Sequence, residues 1–269
     1  ETDKNGKVTY NPKRFLDREK CLEVVKDAKE MGVKSIEFTG GGEPTVHPDH
    51  IEIFNAVLAS GLDMGLITNG VLFRPDLIDT LLKATWVRFS VDAGTPSTYS
   101  QIRRVPIKTY TRVLENIREL VKRKKETKSD LTIGMSFIVT DQNYTEIYEA
   151  AKQACELGVD YLRVGHYWTD DGFIAGDVKI TEELIEKSIK DFNREGFAVL
   201  NRYTPEKSKN IERPDYSFCA YQHISTWIAA DYNVYRCCVT SYSNHGLIGS
   251  IKNQSFKQLW ESELKRQRF

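Results

Sequence analysis

The chain has 269 residues, 40% of them hydrophobic, so it can bury the core of one large domain or of a barrel with a small appendage. Lys plus Arg and Asp plus Glu both number 38, so there is no overall basic field to attract nucleic acid or anionic lipid. No run approaches the roughly 20 apolar residues that cross a bilayer, and the polar N-terminus differs from a signal peptide. We therefore expect a cytoplasmic globular protein that uses no nucleic acid or membrane partner.

Short apolar runs alternate with longer amphipathic stretches in the first part of the chain. The amphipathic stretches have helical periodicity, as in residues 21–31 and 113–121. Two helix-to-strand junctions share a glycine, Gly32 and Gly158, that can end the helix immediately before the strand. This alternation predicts βαβ units around a parallel sheet. The apolar runs predict strands at 35–38, 65–67, 86–91, 133–139 and 161–164.

The pattern changes near residue 195, where we expect the α/β repeat to stop. A polar segment containing Pro205 and Pro214 is typical of a linker. Residues 223–238 then predict two short strands joined by a tight turn at Asp231-Tyr232-Asn233. Residues 255–268 predict a charged amphipathic helix. The last part of the chain is therefore a small β-hairpin plus helix extension.

The strongest local motif is the sequence TGGGEPT at residues 39–45, directly after the first predicted strand. Three successive glycines permit backbone geometry that other residues resist. Ligands of parallel α/β folds bind beyond the carboxyl ends of the strands, so this loop could hold a small polar ligand. The alternative is a glycine-rich turn with an incidental acid. No Gly-Lys-Ser/Thr follows, so the loop is not a nucleotide-binding P-loop.

Gly41-Gly42-Glu43-Pro44 after a buried strand resembles the GGEP motif of radical S-adenosylmethionine (SAM) enzymes. The resemblance implies a partial (β/α)6 TIM-like barrel of parallel strands over residues 1–200. It also implies that Glu43 and the neighbouring backbone carbonyls bind the amino group of the SAM methionine. A carboxylate and carbonyls are suitable acceptors for an ammonium group.

Further segments follow in the order of that family. Thr68 and Asn69 resemble its second strand end, and Ser90 and Asp92 resemble the next one, where polar residues approach the SAM ribose or methionine. Arg103 matches the arginine that pairs with the SAM carboxylate, which a guanidinium can grip at two points. Each has a structural alternative. Thr68 and Asn69 could form a turn, Ser90 and Asp92 could cap the next helix, and Arg103 could be a solvated helix charge.

Later strands supply further polar side chains. Ser136 falls where the family contacts adenine, ribose or substrate, and Arg163 or His166 would do so on the following strand. His166 and Tyr167, with Trp168 and the two aspartates at 170–171, could form an aromatic and acidic mouth for the substrate. A lone histidine at a strand end is, however, more often structural than catalytic.

The cysteines give a second resemblance. Cys219, Asn233 and Cys238 are spaced like the opening of SPASM or twitch extensions, where a glycine takes the place of Asn233. Asn is tolerable there because it also adopts left-handed turn conformations. The resemblance implies that residues 201–269 are an incomplete auxiliary-cluster region in which Cys219 and Cys238 bind an iron–sulfur cluster.

The remaining cysteines have simpler explanations. Cys237 neighbours Cys238 on a predicted strand and should point to the opposite face, so we expect one of the two to serve packing. Cys21 and Cys155 lie in amphipathic helices and are assigned to the core. A set of reduced, buried cysteines remains the alternative for Cys219 and Cys238.

The Cys-x-x-x-Cys-x-x-Cys motif that holds the family's catalytic 4Fe–4S cluster is absent from the chain. Because the chain starts with Glu1 and also stops before the further cysteines of such extensions, we expect truncation at both ends and an inactive fragment.

The resemblance implies reductive cleavage of SAM and hydrogen abstraction from a peptide or small-molecule substrate, with an electron donor such as flavodoxin or ferredoxin. Two rivals remain open. One is a cluster-free β/α-barrel lyase or aldolase that uses Glu43, Asp92 or His166 as acid and base. The other is a non-catalytic SAM-fold binding protein.

Overall fold

The structure is a computed structural model that describes residues 14–167, 176–204 and 219–268. The helices are Arg18–Glu30 (α1), His50–Ala59 (α2), Pro75–Leu81 (α3), Pro96–Arg103 (α4), Lys108–Thr127 (α5), Ile147–Leu157 (α6), Val178–Phe192 (α7), Tyr221–Ile224 (α8), Phe256–Glu261 (α9) and Glu263–Arg268 (α10). The strands are Ser35–Phe38 (β1), Asp63–Thr68 (β2), Trp86–Ser90 (β3), Thr132–Val139 (β4), Tyr161–His166 (β5), Ala198–Arg202 (β6), Trp227–Ile228 (β7), Asn233–Tyr235 (β8) and Leu247–Ser250 (β9). Among the described residues, no helix is both long and apolar enough to span a bilayer.

The larger sheet has the strand order β1-β2-β3-β4-β5-β6, and its pairs from β2 to β6 are parallel. This confirms the predicted α/β class and the five predicted strands. The predicted glycine junctions are also confirmed, because Gly32 and Gly158 have φ of +75° and +77° at the ends of α1 and α6. The expected end of the repeat near residue 195 is wrong. Strand β6 follows it, and its mixed burial gave no clear apolar run.

Contacts divide the chain into two compact units. Unit 1 comprises Glu1–Met64 and Asp215–Phe269, and unit 2 comprises Gly65–Pro214. The expected division into a barrel over residues 1–200 and an auxiliary-cluster region over residues 201–269 stays a prediction. The predicted linker with Pro205 and Pro214 lies outside the described residues.

The sheet of unit 2 has two different faces because successive strand residues point to opposite sides. One face, here called the helix face, is mostly apolar and is buried from β3 to β5, and α6 and α7 contact strands β4 to β6. Its central row contains Phe89, Met135 and Leu162. The other, here called the arginine face, is polar and partly exposed. It carries Arg88 and Ser90 of β3, Ser136 of β4, Arg163 of β5 and Leu200 and Arg202 of β6.

Two aromatic rings cover glycines on the arginine face. Gly65 pairs with Trp86 and Gly134 pairs with Tyr161 across neighbouring parallel strands. A Cβ atom at Gly134 would lie 2.1 Å from the Tyr161 ring, and one at Gly65 would lie 2.3 Å from the Trp86 ring. Each ring therefore lies close to the backbone of the preceding strand, at a position where a Cβ atom would overlap it.

Unit 1 joins the start of the chain to its end. Val234, Ile248, Ile251, Phe256 and Leu259 form a buried core, and partly buried side chains that include Val24 of α1 and Met31, which follows α1, pack against it. Polar contacts reinforce this packing, because the Lys257 backbone N–H donates to the Asp27 carboxylate (2.8 Å).

The small sheet of unit 1 corrects the predicted hairpin. Strands β7 and β8 are antiparallel, as expected, but β9 adds a third strand and residues 221–224 are helical. Cys237 and Cys238 follow β8 rather than lying in it, so the argument from opposite strand faces does not apply to them. The predicted C-terminal helix is two helices, because Ser262 has an extended backbone (ψ 158°) that separates α9 from α10.

Gly134→Ala should destabilise the protein by about 1 to 3 kcal/mol, since the new methyl group overlaps the Tyr161 ring. Gly165→Ala on the same face is the control, because its Cβ would meet only Ile138 Cδ1 at 3.5 Å. Urea unfolding followed by circular dichroism measures both changes. If the ring overlap is the cause, the Gly134→Ala cost should shrink in a Tyr161→Ala background, and an unchanged cost would contradict this explanation.

Candidate functional site

The glycine-rich loop of unit 1 is exposed. Gly40, Gly41 and Gly42 are all solvent-accessible, and none of them has a positive φ, so the loop does not use the special geometry that the sequence suggested. The glycines instead leave a stretch of backbone without side chains. A ligand can therefore approach the peptide groups of this loop closely.

Glu43 is half-buried at the end of this loop. Its carboxylate accepts hydrogen bonds from the Thr45 backbone N–H (3.2 Å) and hydroxyl (2.8 Å). It thereby caps a short 3-10 turn that begins at Pro44. These bonds use Oε1, so the side chain is oriented by its own turn.

In unit 2, Thr68 and Asn69 form a tight turn at the end of β2. The Gly70 N–H donates to Thr68 Oγ1 (3.0 Å), and the Val71 N–H donates to Asn69 Oδ1 (2.9 Å). Gly70 has φ of +73°, and Asn116 of α5 donates to its carbonyl (2.7 Å). Both side chains therefore form a hydrogen-bonded turn, which was the alternative to their role in cofactor binding. Their contact with a cofactor stays a prediction.

Ser90, Asp92, Arg103 and Ser136 come together at the ends of β3 and β4. Ser90 and Ser136 are register partners on the arginine face. The Ser136 carbonyl accepts hydrogen bonds from the backbone N–H groups of Val91 (3.3 Å) and Asp92 (3.2 Å). The Ser90 carbonyl accepts one from Arg103 Nη2 (2.8 Å). Four of the predicted residues are therefore neighbours in one unit.

Asp92 is the centre of this cluster. It has a left-handed backbone (φ +55°), and its carboxylate forms an ion pair with Arg103 and accepts a hydrogen bond from the Ile138 N–H (2.9 Å). Burial raises the pKa of Asp92, and the positive charge of Arg103 opposes that rise. Because both carboxylate oxygens are already engaged, Asp92 orients Arg103 more readily than it binds a ligand itself.

Arg103 offers unused donors. Its Nη2 bonds to Asp92 and Ser90, but its Nε is buried and has no acceptor among the described residues. A buried N–H without an acceptor is costly, and guanidinium groups suit carboxylates. The residue therefore fits the carboxylate of a bound ligand.

Asn143 was missed in the sequence. It is fully buried, and its amide donates to the carbonyls of Asp92 (2.8 Å) and Ile138 (2.9 Å) while its oxygen accepts from the Thr140 N–H (2.7 Å). It therefore holds the backbone of Asp92 in place. A lone Asn in a loop gives no sequence signal for such a role.

Glu146 was also missed, and it anchors the start of α4, the helix that carries Arg103. Its carboxylate accepts hydrogen bonds from the backbone N–H groups of Gly94 (2.8 Å) and Thr95 (3.1 Å). It also accepts from the hydroxyls of Thr95 (2.9 Å) and Thr98 (2.6 Å). A carboxylate at a helix N-terminus stabilises the helix.

The structure separates Arg163 from His166. Arg163 shares a row with Ser136 on the arginine face, whereas His166 lies three residues later, on the helix face, where it is buried 6.4 Å from the Tyr203 ring. Burial lowers the pKa of His166. The proposed mouth therefore lacks His166, and its residues 168–171 lie outside the described part of the chain.

The cysteines of unit 1 form no disulfide. Cys219 and Cys237 are partly exposed and Cys238 is exposed, whereas Cys155 is buried as predicted and burial raises the pKa of Cys21 to about 12. Asn233 is extended, and Tyr232 instead takes the left-handed turn conformation (φ +65°), which corrects the expected reason for Asn at this position. The described residues contain no group of three or more His, Cys, Asp or Glu side chains placed to hold a metal ion.

Comparisons with known proteins extend these observations. The family model of the Radical SAM superfamily matches residues 4–154, and the SPASM model, an iron–sulfur cluster-binding domain, matches residues 219–269. The tungsten-containing aldehyde ferredoxin oxidoreductase cofactor-modifying protein of Pyrococcus furiosus is 32% identical over 155 residues, which are 56% of this chain and 43% of that protein. A probable GTP 3′,8-cyclase of Saccharolobus islandicus is 29% identical over 183 residues, 65% of this chain and 57% of that protein. The chain thus spans about half the length of these relatives.

Among solved structures, Streptococcus suis SuiB bound to S-adenosylmethionine is similar, with a TM-score of 0.69 and 16% identity. The similarity covers 92% of this chain and 59% of SuiB. SuiB bound to its precursor peptide SuiA gives a TM-score of 0.67 at 15% identity, over 92% of this chain and 58% of SuiB. At this identity the likeness shows the fold, and it confirms the expected partial barrel.

Glu146→Gln should destabilise the protein by about 2 to 3 kcal/mol, because an amide loses the charge and turns an NH₂ group toward donors. Glu156→Gln is the matched control, since Glu156 is exposed on the neighbouring helix α6. Denaturant unfolding measures both. Equal stabilities of the two variants would mean that the Glu146 network contributes nothing to the anchoring of α4.

Proposed function

The chain belongs to the radical SAM superfamily, and from this premise we propose that its protein cleaves SAM reductively to abstract hydrogen from a peptide or small-molecule substrate. SAM and iron–sulfur clusters, the cofactors that the sequence implied, are those of this superfamily and of the SPASM domain. The proposal also includes three finer points. These are an oxidoreductase or transferase type of reaction, a cytoplasmic location, and flavodoxin or ferredoxin as the electron donor.

Arg103 carries the residue-level proposal. Its guanidinium is held by the Asp92 carboxylate and the Ser90 carbonyl at the carboxyl end of β3, and its buried Nε has no described acceptor. Such a pre-oriented cation is suited to the carboxylate of the SAM methionine. The fixed position reduces the entropy that would be lost when the ligand binds.

Glu43 and the exposed loop before it suit the other polar end of the methionine. The Glu43 carboxylate and the backbone carbonyls of Gly41 and Gly42 offer only acceptors to a cationic ammonium group. Ser90, Ser136, Thr68 and Asn69 would supply neutral hydrogen bonds around the same ligand.

When bound, the cluster and SAM would supply the reductive cleavage. The chain's own residues would bind and orient SAM and the substrate and would exclude water from them. Asp92 and Asn143 act through Arg103 as positioning residues.

Cys219 and Cys238 are the proposed protein ligands of an auxiliary iron–sulfur cluster. Both thiols are at least partly accessible, which fits metal binding better than a packing role. Two thiolates do not complete a cluster, so the full ligand set requires further donors.

The rival lyase or aldolase gains no support. His166, one of its expected acid or base groups, is buried on the helix face, and both oxygens of the Asp92 carboxylate are engaged. A non-catalytic SAM-binding protein remains the outcome if SAM binds without being cleaved.

Arg103→Gln and Glu43→Gln should each weaken SAM binding about tenfold, since each removes one charge-assisted contact to the methionine. Gln retains an acceptor for Thr45 at position 43, so the local turn should persist. Arg104→Gln is the control, because Arg104 is the exposed neighbour of Arg103. Equilibrium dialysis with radiolabelled SAM measures the dissociation constants, and an unchanged value for Arg103→Gln would remove that residue from the site.

Cys219→Ser and Cys238→Ser should each lower the iron retained after anaerobic reconstitution and desalting by at least about half, since each removes a thiolate ligand. Cys21→Ser serves as the control, because Cys21 lies within helix α1 and its thiol donates to the Leu16 carbonyl (3.7 Å). Iron and labile sulfide are assayed together. Equal iron in all three variants would show that the two cysteines hold no cluster.

A further inference from the structure

Trp227 of unit 1 carries a buried polar group without a hydrogen-bond partner. The residue begins β7, and its indole Nε1 is buried and has no acceptor among the residues that the structure describes. An indole nitrogen can only donate, and a buried N–H without an acceptor is costly. Such groups are rare in native proteins, so this one calls for an acceptor that the described side chains and backbone do not supply.

The small sheet has two faces, and Trp227 lies on the one that faces away from α9. The next residue, Ile228, pairs with Val234, and both pack in the buried core to which α9 belongs. Trp227 pairs with Tyr235, and neither residue is part of that core. Because neighbouring strand residues point to opposite sides, Trp227 and Tyr235 share the second face, here called the aromatic face.

The loop that carries Cys238 packs on the aromatic face. This loop, residues 236–246, connects β8 to β9. The ring of its Tyr242 packs on the ring of Tyr235, with the centroids 5.7 Å apart, and Tyr235 is almost completely buried. The unpartnered indole N–H is therefore on the side of the sheet that the cysteine loop covers.

Trp227 also lies between the two proposed cluster ligands along the chain. Cys219 comes just before α8, which leads into β7, and Cys238 comes just after β8, the strand that pairs with β7. No thiol of a described residue accepts a hydrogen bond from the indole. The thiolates and sulfides of an iron–sulfur cluster are acceptors, and a cluster held by Cys219 and Cys238 would bring them to this part of unit 1.

We propose that the Trp227 indole N–H donates a hydrogen bond to a sulfur of the auxiliary cluster and thereby raises the reduction potential of that cluster. The inference rests on the proposed function, because it requires a cluster bound by Cys219 and Cys238. Reduction adds negative charge to the cluster, so a nearby donor stabilises the reduced form more than the oxidised form. Trp227 is not a ligand of the iron, because an indole nitrogen offers no acceptor lone pair.

The first test detects the hydrogen bond in the unsubstituted chain. The full chain, labelled with ¹⁵N in its indole nitrogens, is reconstituted anaerobically with iron, sulfide and a small thiol that can complete the ligand set, and is then reduced with dithionite. Pulsed electron paramagnetic resonance should show a hyperfine coupling to one indole ¹⁵N. A buried water molecule is the alternative acceptor. It predicts no such coupling, and that result would overturn the proposal.

Two matched variants assign the coupling. Trp227→Phe keeps an aromatic ring but removes the N–H, so the coupling should disappear. Trp260→Phe is the control, because Trp260 belongs to the same unit but packs against Phe256 and the core on the other face of the sheet. A coupling that persists in Trp227→Phe would assign the hydrogen bond to another tryptophan and overturn the proposal.

Trp227→Phe should also make the midpoint potential of the cluster more negative. The equilibrium between oxidised and reduced cluster should change at least threefold, which is a shift of about 28 mV for one electron. The potential in Trp260→Phe should stay unchanged, and both variants should retain the iron of the unsubstituted chain. Equal potentials in the two variants would contradict the proposed hydrogen bond.

Failure of the proposed function gives a different result. Equal iron in Cys219→Ser, Cys238→Ser and the unsubstituted chain would refute the cluster site and, with it, the role of Trp227. Iron that depends on both cysteines, without a coupling to an indole ¹⁵N, would refute only the role of Trp227 and leave the proposed cluster standing.

Discussion

The two-residue alternation of side chains along parallel strands is the constraint on which the rest of unit 2 depends. With the register fixed, every strand residue belongs to one of two faces, and a shift by one residue would exchange them. The helix face takes the apolar side chains, such as Phe89 and Met135, and is closed by helices. The polar side chains are therefore collected on the other face, where Ser90, Ser136 and Arg163 align in one row. The polar character of this face is a consequence of how the core is packed.

Asp92 connects this sheet to helix α4, which carries Arg103. A non-glycine residue with φ of +55° is unfavourable by itself, and here it is held by hydrogen bonds from both sides. The Ile138 N–H binds its carboxylate, and Asn143 binds its carbonyl. The cost of the left-handed backbone is offset by an ion pair that orients Arg103. A residue expected to touch the cofactor is thus better understood as one that positions its neighbour.

Unit 1 shows how the ends of a chain can share one core. Helix α1 lies near the start of the chain, yet its Val24 and the following Met31 pack against the cluster formed by β8, β9 and α9. Tyr232, the left-handed residue of the hairpin, donates its hydroxyl to Asp17 at the start of α1 (2.5 Å). The region that carries the accessible cysteines is therefore stabilised by the first helix. This contact pairs residues 215 positions apart in the sequence.

The amino-acid sequence by itself determined the α/β class, the five strands from 35 to 166, the glycine junctions and the family, because periodicity and contiguous motifs are local properties. It also singled out Glu43, Ser136 and Arg103 as candidate site residues, the first directly after a strand, the second within one and the third at the end of helix α4. It did not reveal β6, because a strand with mixed burial has no clear period.

Only the tertiary structure decided the rest. It placed Arg163 and His166 on opposite faces, since the face of a residue depends on exact strand register. It showed that Asn143 and Glu146 hold the Asp92 and α4 backbone, since single polar residues in loops carry no local pattern. It moved Cys237 and Cys238 out of the strand and joined α1 to the C-terminal sheet. Each of these outcomes comes from contacts between residues distant in sequence, which no local window of the chain contains.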